Sequence, residues 1–500
     1  MIWYSSMLTA MMSAFPSREN RLTLVSADGA YIRVSVLTMT KRCLPLLTLC
    51  VSGFMTGCVQ FEPKPLDPGR TAESLAARTL SDPGLLKFLA EVLPSGADSD
   101  RPWTLDELTA AALYFNPGID LARQRANVAA SQVKGASERP NPSVSASPGY
   151  NSSSSGISPW IFGFGFSFPV ETAGKRQYRT DEARHLAEAA RLRVATDAWQ
   201  IRTAVREAFL DLAEAQEAAQ LEAAVVAAGE TLCAAMERQR AAGEFSRLDL
   251  TQAQVDLHRA RLAASGSQAR RTVALARLAA AMGLPSSALE HAAFRFGPEA
   301  PAAPDAAEAR RAALTGRADV LAALKDYEAS ESALRLAIAG QYPDLQIGPG
   351  YEFDQSENKW SLGASLSLPV FHQNQGAIGK ALAQREEAAA AVFALQSRIA
   401  GEVDQALAAV RAAEGRASAA AALLASTSQR LAVVESLQKA GEVTTLEVLA
   451  ARAETAGAKL DEGTVRMERR RALGKLEDAL QRPADLPEKL WSQTPTVTRN

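Results

Sequence analysis

The four histidines of this 500-residue chain, His185, His258, His291 and His372, are scattered along it. None pairs with another at the spacing that places two imidazoles on one metal ion. His185 and His258 fall in helical patterns and are expected on helix surfaces. Gly163-Phe164-Gly165 begins like a dinucleotide fingerprint but lacks the third glycine and the strand-then-helix setting, and Gly174-Lys175-Arg176 lacks the rest of a phosphate loop. With no nucleophile elbow and no zinc motif, the sequence offers no catalytic constellation, and neither enzyme activity, a cofactor nor a metal site is expected. Four cysteines remain: Cys43 and Cys50 lie in an apolar run, Cys58 ends it, and Cys233 stands alone in the later chain. They build no disulfide framework. Cys233 reads as a small packing residue on a helix.

Cys58 is the exception. Met39 to Cys58 reads MTKRCLPLLTLCVSGFMTGC: two positive charges, an apolar run, then small residues before the cysteine. That is the layout of a secretory signal peptide, with a run too short to span a bilayer. Met55-Thr56-Gly57-Cys58 resembles a bacterial lipobox, with methionine where leucine is commoner. The resemblance implies cleavage before Cys58, which becomes the lipid-bearing first residue; the alternative is an ordinary signal peptide with an incidental cysteine. Residues 1–57 are therefore set aside as an extension plus signal peptide, with Met39 a candidate start. Residues 58–103, mixed in proline, glycine and charge, read as a lipidated tether wrapping something larger.

The 54 basic and 56 acidic residues leave a net charge of -2, which gives no electrostatic reason to propose nucleic acid as a partner. Aromatics at 6% and charged residues at 22%, with abundant alanine, fit long helices better than a sandwich. Two stretches break that pattern. Phe162, Phe164, Phe166 and Phe168 alternate with Gly163, Gly165 and Ser167, giving an extended strand one aromatic and one nearly bare face. Such a strand suits lipid on one side and a narrow lumen on the other. Trp360 to Val370 repeats it with Leu362, Ala364, Leu366 and Leu368. Each strand is expected to end at a proline, Pro169 or Pro369.

The elements around these strands also recur. A capped helix over Leu105 to Phe115, with the Thr104 and Glu107 capping-box spacing, leads past Asn116-Pro117 to a helix over about Gly118 to Glu138. Ser143 to Tyr150 forms a strand, a serine-rich loop follows, and the aromatic strand returns. From Thr172 to near Arg240 apolar positions at Val194, Ala198, Ile201, Val205, Ala208, Leu212, Ala215 and Ala219 step by four and three, a heptad seam of small knobs. That helix would extend about 100 Å. Ala242-Gly243-Glu244 turns it into a return helix from Leu248 to about Met282. In the second half Arg317 to Ala339 matches the helix after Asn116, and Pro343 to Phe353 the first strand. Ile399, Val403, Ala406, Val410, Ala413 and Ala417 repeat the seam. Ala440-Gly441-Glu442 repeats the turn, with Leu446 echoing Leu248. The chain is thus a duplication: residues 104–297, a linker at 298–304, residues 305–482, and a tail at 483–500.

Two strands per half make four per chain, too few to close a membrane barrel, and open edges are not tolerated in lipid. Subunits must share the barrel; two chains would give eight strands and three would give twelve.

With those landmarks in place, the chain resembles the TolC family of bacterial outer membrane efflux channels. The likeness spans Leu105 to Gln481, and Glu171-Thr172-Ala173-Gly174-Lys175-Arg176 is similar to a segment of the branch serving heavy-metal cation pumps. The resemblance implies a mainly α fold with a small β part. Duplicated antiparallel coiled-coil helices form an α-barrel, and four strands per chain join a twelve-stranded transmembrane barrel in a homotrimer. It implies an outer membrane duct with a periplasmic helical domain, linked by a periplasmic adaptor to an inner-membrane RND-type pump, and the lipobox-like Cys58 adds the lipid anchor. The tips, Arg240 to Asp249 and Lys439 to Glu447, would meet the adaptor: Gly243 and Gly441 reverse the chain, Leu248 and Leu446 repack the seam, and Arg240, Glu244, Lys439 and Glu442 hold the closed tip or grip the adaptor. The bland alternative for these charges is a solvated helix end. Glu402, Asp404 and Glu435 flank the seam as candidates to line the lumen and favour cations. Metal cations are the first cargo to consider, drugs or a secreted protein the alternative, and a poreless periplasmic coiled coil the reading from another class.

Overall fold

The computed structural model describes residues 61–93, 101–152, 159–241, 246–297, 305–354 and 357–481, with residues 24–25 and 31–32. Cys58, the turn residues Gly243 and Glu244, the linker 298–304 and the tail lie outside them. The chain divides into two units, Met1–Pro68 and Gly69–Asn500. In the first, Leu24–Val25 pairs antiparallel with Tyr31–Ile32.

The second unit contains both repeats. Helices α1 (Pro68–Ala76) and α2 (Pro83–Val92) precede α3 (Leu105–Phe115) and α4 (Pro117–Ser137). Strands β1 (Ser143–Tyr150) and β2 (Trp160–Val170) lead into α5 (Lys175–Ala241), of 67 residues, and α6 (Arg247–Met282). After a 3-10 turn at Ser286–Leu289, the second repeat runs α7 (Ala306–Gly316), α8 (Ala318–Ala339), β3 (Leu345–Asp354), β4 (Glu357–Leu366), α9 (Gln375–Ala440) and α10 (Thr445–Leu480). The first of these starts is written locally. Thr104 and Glu107 form the reciprocal capping box on α3, and Asn116 accepts the Gly118 N–H at the start of α4.

Each repeat has its own apolar core. In the first, Leu85 and Leu89 of α2, Leu108 and Leu113 of α3, Val205, Ala208 and Leu212 of α5 and Leu278 and Met282 of α6 pack together. In the second, Ala313, Ile399, Val403, Val410, Leu473 and Leu476 do so. Ala198, Val205, Ala208, Leu212 and Ala215 of the first heptad seam are buried, as are Ile399, Val403, Ala406, Val410 and Ala413 of the second. Small knobs allow α5 and α9 to lie close to their neighbours.

The segment read as a tether contributes more than expected. Helix α2 buries Leu85, Phe88, Leu89 and Val92 in the first core. Arg78 donates to the Phe115 and Gly283 carbonyls at 2.7 and 2.9 Å, neutralising the carbonyl ends of α3 and α6.

The strands form one antiparallel sheet in chain order, β1-β2-β3-β4. Central β2 and β3 bring the repeats together, with Phe164 opposite Tyr351 and Gly165 opposite Gly350. Strand β2 does not stop at Pro169: it pairs through Pro169 with Gln346 and Val170 with Leu345. Pairing with β1 ends at Ser167, so Pro169 sits where one flank is free and a missing N–H costs no ladder bond there. Strand β4 begins at Glu357 and ends at Leu366, three residues short of Pro369.

Candidate functional site

The register sorts the sheet's side chains into two faces. Val144, Ala146, Pro148 and Tyr150 stand opposite Phe166, Phe164, Phe162 and Trp160. Across the next ladder Phe162, Phe164 and Phe168 stand opposite Phe353, Tyr351 and Ile347. Tyr351, Pro349 and Leu345 in turn stand opposite Trp360, Leu362 and Leu366. Directly opposed residues share a face, so this face is apolar across all four strands, with Asn358 at one corner as the polar exception. The other face carries Ser145, Ser147, Gly163, Gly165, Ser167, Gln346, Gly350, Ser361 and Ser365. The apolar side is exposed in the single chain, at 50% for Phe164 and 78% for Leu362. An exposed aromatic and leucine surface of this extent marks a place where the chain meets a nonpolar partner or a membrane.

The two ends of the sheet differ. Tyr150 packs on Trp160 at 5.0 Å between centroids, and Tyr351 on Trp360 at 4.9 Å. Past these pairs come Glu352, Asp354, Glu357 and Lys359, with Lys359 Nζ 2.6 Å from Asp354. Aromatics followed by charges are the sequence of environments met on leaving a bilayer through its headgroups. On the bare face, a Cβ on Gly348 would run into the Phe166 carbonyl, so glycine is required there by close strand approach.

The opposite end of the sheet joins the helices through a clip built from the Glu171 to Arg176 segment. Thr172 donates its N–H to Asp344 at 3.0 Å and its hydroxyl to the Pro343 carbonyl at 2.7 Å. Lys175 Nζ reaches Asp344 at 2.8 Å and the Tyr342 carbonyl at 2.6 Å. Arg179 holds Glu171 at 2.6 Å and donates to the Ala136 carbonyl at the end of α4. Three helix-strand passages are thereby tied at one level. Burial pushes the Asp344 carboxyl up, but hydrogen bonds from Lys175 and the Thr172 N–H outweigh it and hold the group below its ordinary value.

At the far ends of α9 and α10 the chain reverses at Gly441, whose φ of 82° an L side chain rarely adopts. Thr444 and Glu447 form a second capping box that starts α10. Ser246 caps α6 by accepting the Leu248 N–H at 3.1 Å. Arg240, Lys439 and Glu442 are exposed and make no ion pair among the described residues. Leu446 is half-buried, whereas Leu248, expected to repack the seam, is 77% exposed; Leu250 and Val448 occupy the buried positions instead. The side chain two places further along the helix, and not the first leucine after the turn, faces the partner helix.

The three candidate lumen carboxylates all have cationic neighbours. Glu402 is held by Arg317 at 2.9 Å, Asp404 pairs with Arg310, and Glu435 receives Arg452 at 2.7 Å. Each pairing offsets the carboxylate's charge, so these residues do not form a bare acidic lining within the chain. His185, expected on a helix surface, lies 3.0 Å from Glu328 of α8.

The sheet, clip and duplicated helices meet their counterpart in a family model described as outer membrane efflux protein, which matches residues 108–284 and 309–481. The chain belongs to that family. Its match to the "cobalt-zinc-cadmium resistance protein CzcC" of Cupriavidus metallidurans is 28% identical over 224 residues, covering 44% of this chain and 53% of the relative. The chain therefore spans about half the length of that curated relative in the match. Among solved structures, the outer membrane protein VceC of Vibrio cholerae is similar at 19% identity and a TM-score of 0.61, over 75% of this chain and 95% of that one. CusC, described in terms of folding and transmembrane channel formation, is similar at 20% identity and a TM-score of 0.60, over 75% and 91%. At these identities the two structures establish the shared fold, mainly helical with one four-stranded antiparallel sheet.

Sequence reasoning missed the side chains that join the repeats of this efflux-family chain. Arg206 of α5, 6% exposed, meets Glu477 at 3.6 Å and also Asp478 of α10. Arg202, 5% exposed, reaches Glu477 at 3.1 Å and lies over the Trp199 ring at 4.9 Å. Arg471 of α10 contacts Asp211 and Glu214 of α5 at 2.6 and 2.5 Å. The one local signal was arginine at Arg202 and Arg206, four residues apart beside the apolar seam, where a charge must find a partner.

Proposed function

We propose that the protein is the outer membrane duct of a tripartite efflux system, a passive homotrimeric channel for divalent heavy-metal cations. The observation that carries this is the sheet: one face is apolar from β1 to β4 but for Asn358 at a corner, the other is mostly serine and glycine with charge gathered at one end, and among the described residues β1 and β4 have no strand on their outer edges. An open edge is not tolerated in lipid, and four strands are half of the about eight found in the smallest barrels. Three chains supply twelve strands, and three copies of the long helices continue the cylinder into the periplasm. Cys58 is the lipidated first residue that holds the mature chain at the inner leaflet of the outer membrane.

The tips form the docking end. Arg240, Gly243, Glu244 and Leu248 on one hairpin, and Lys439, Gly441, Glu442 and Leu446 on the other, offer charge and the exposed Leu248 to a periplasmic adaptor, which couples the duct to an inner-membrane RND-type pump. Metal cargo is supported by the likeness to a cobalt-zinc-cadmium resistance protein and by the Glu171 to Arg176 segment. The test is survival of a deletion strain on zinc, cobalt, cadmium and copper beside a drug panel. Sensitivity to the metals alone, restored by the intact gene, is expected; sensitivity to the drugs alone would reject metal cargo.

A further inference from the structure

His185 and Glu188 are three residues apart on α5 and so leave the helix on one face. Lys325 and Glu328 have the same spacing on α8, which belongs to the other repeat. Between the helices His185 Nδ1 lies 3.0 Å from Glu328 Oε2, and Lys325 Nζ lies 2.7 Å from Glu328 Oε2 and 3.1 Å from Glu188 Oε2. One donor atom each from His185, Glu188 and Glu328 falls within 4.8 Å of the others. His185 Nδ1 is shut off from solvent and has no hydrogen bond of good geometry. A ring nitrogen screened from water, whose near neighbour is a carboxylate not aligned to share a proton with it, lacks the partner that would offset its burial.

We propose that His185, Glu188 and Glu328 form a divalent cation site that joins α5 to α8, with the Lys325 ammonium as its occupant in the absence of metal. One imidazole nitrogen and two carboxylate oxygens are a donor set for Zn²⁺ and its borderline neighbours, leaving a fourth position for water. Magnesium and calcium, which take oxygen donors in larger number, fit it poorly. Two carboxylates balance the charge of a divalent ion, whereas one ammonium leaves an excess negative charge. Lys325 is on a flexible stem with its side chain 31% exposed, so it can turn outward as the ion enters. The neighbouring charges are engaged elsewhere, Arg184 with Asp181 and Arg193 with Asp326. The ion would tie the helix that follows β2 to the helix that precedes β3, whatever cargo the channel carries.

The test uses the full-length protein in detergent, stripped by a chelator and titrated with zinc alone against a chromophoric competitor, with bound metal counted per chain. One zinc per chain is expected. His185→Ala and Glu328→Gln should each weaken it more than about tenfold, since changes even outside the ligand set cost roughly 10–100-fold. Lys325→Met should tighten it by removing the competing cation, a response that zinc held elsewhere would not show. Zinc uptake unchanged in His185→Ala, or no zinc bound to the stripped wild-type protein, would overturn the site. Should Glu328→Gln fail to assemble, His185→Ala and Lys325→Met decide the question.

Discussion

Phe164 and Gly165 are chain neighbours that face different surroundings, because successive side chains of a strand leave on opposite sides. Phe164→Asp places a charge on the apolar face, and the expected outcome is little or no assembled oligomer in outer membrane fractions, read beside Gln252→Ala at an exposed position of α6 as the control. Normal yield with aspartate at that position would place the aromatic face away from lipid. Asp344 yields a second expectation. Its carboxyl is held below its ordinary value in the folded state, so its clip to Lys175 contributes fully above the unfolded value of about 3.9 and fades as pH falls through the lower folded value. Acid-induced loosening of the sheet-helix junction below about pH 4 should therefore weaken in Asp344→Asn, measured by hydrogen exchange at Thr172. The aromatic alternation was legible because a period of two is a local signal. The clip was not, since Lys175 and Asp344 are 169 residues apart in sequence.

Elements were read well where periodicity was long and poorly where partners decide. The heptad seams of α5 and α9, the capping box at Thr104 and the glycine reversal at Gly441 all stand as local rules require. Strand β2 passes Pro169 because β1 no longer flanks it there, and α2 is folded because Leu85 and Leu89 find α3, facts of tertiary pairing that no local pattern records. The contact of α5 with α10 allows a further test. Arg206→Ala takes one cation from the pair but leaves Glu477 to Arg202 and Asp478 to the Thr203 hydroxyl, so the loss should fall below the about 3–5 kcal/mol seen where a buried charge is left without a partner. It would be measured as a lower temperature of heat dissociation, beside Arg259→Ala on the exposed face of α6, which should change little. At the tip, Gly441→Ala places a side chain at a φ of 82° and should cost about 1 kcal/mol, seen as faster local exchange around Thr444.

At the scale of the molecule, duplication makes two halves that meet in the middle of one sheet, through β2 and β3, and along α5 and α10. Among the described residues, the outer strands β1 and β4 have no neighbour on their far sides. The sequence was sufficient to count the strands; that chains share a barrel is the proposal built on that count, and three chains rather than two rests on the resemblance to the family. Native mass spectrometry of the detergent-extracted protein weighs that conclusion most directly, because it counts chains per particle. Particles of three chains are expected, whereas a stable particle of one chain would contradict a wall completed by neighbouring subunits.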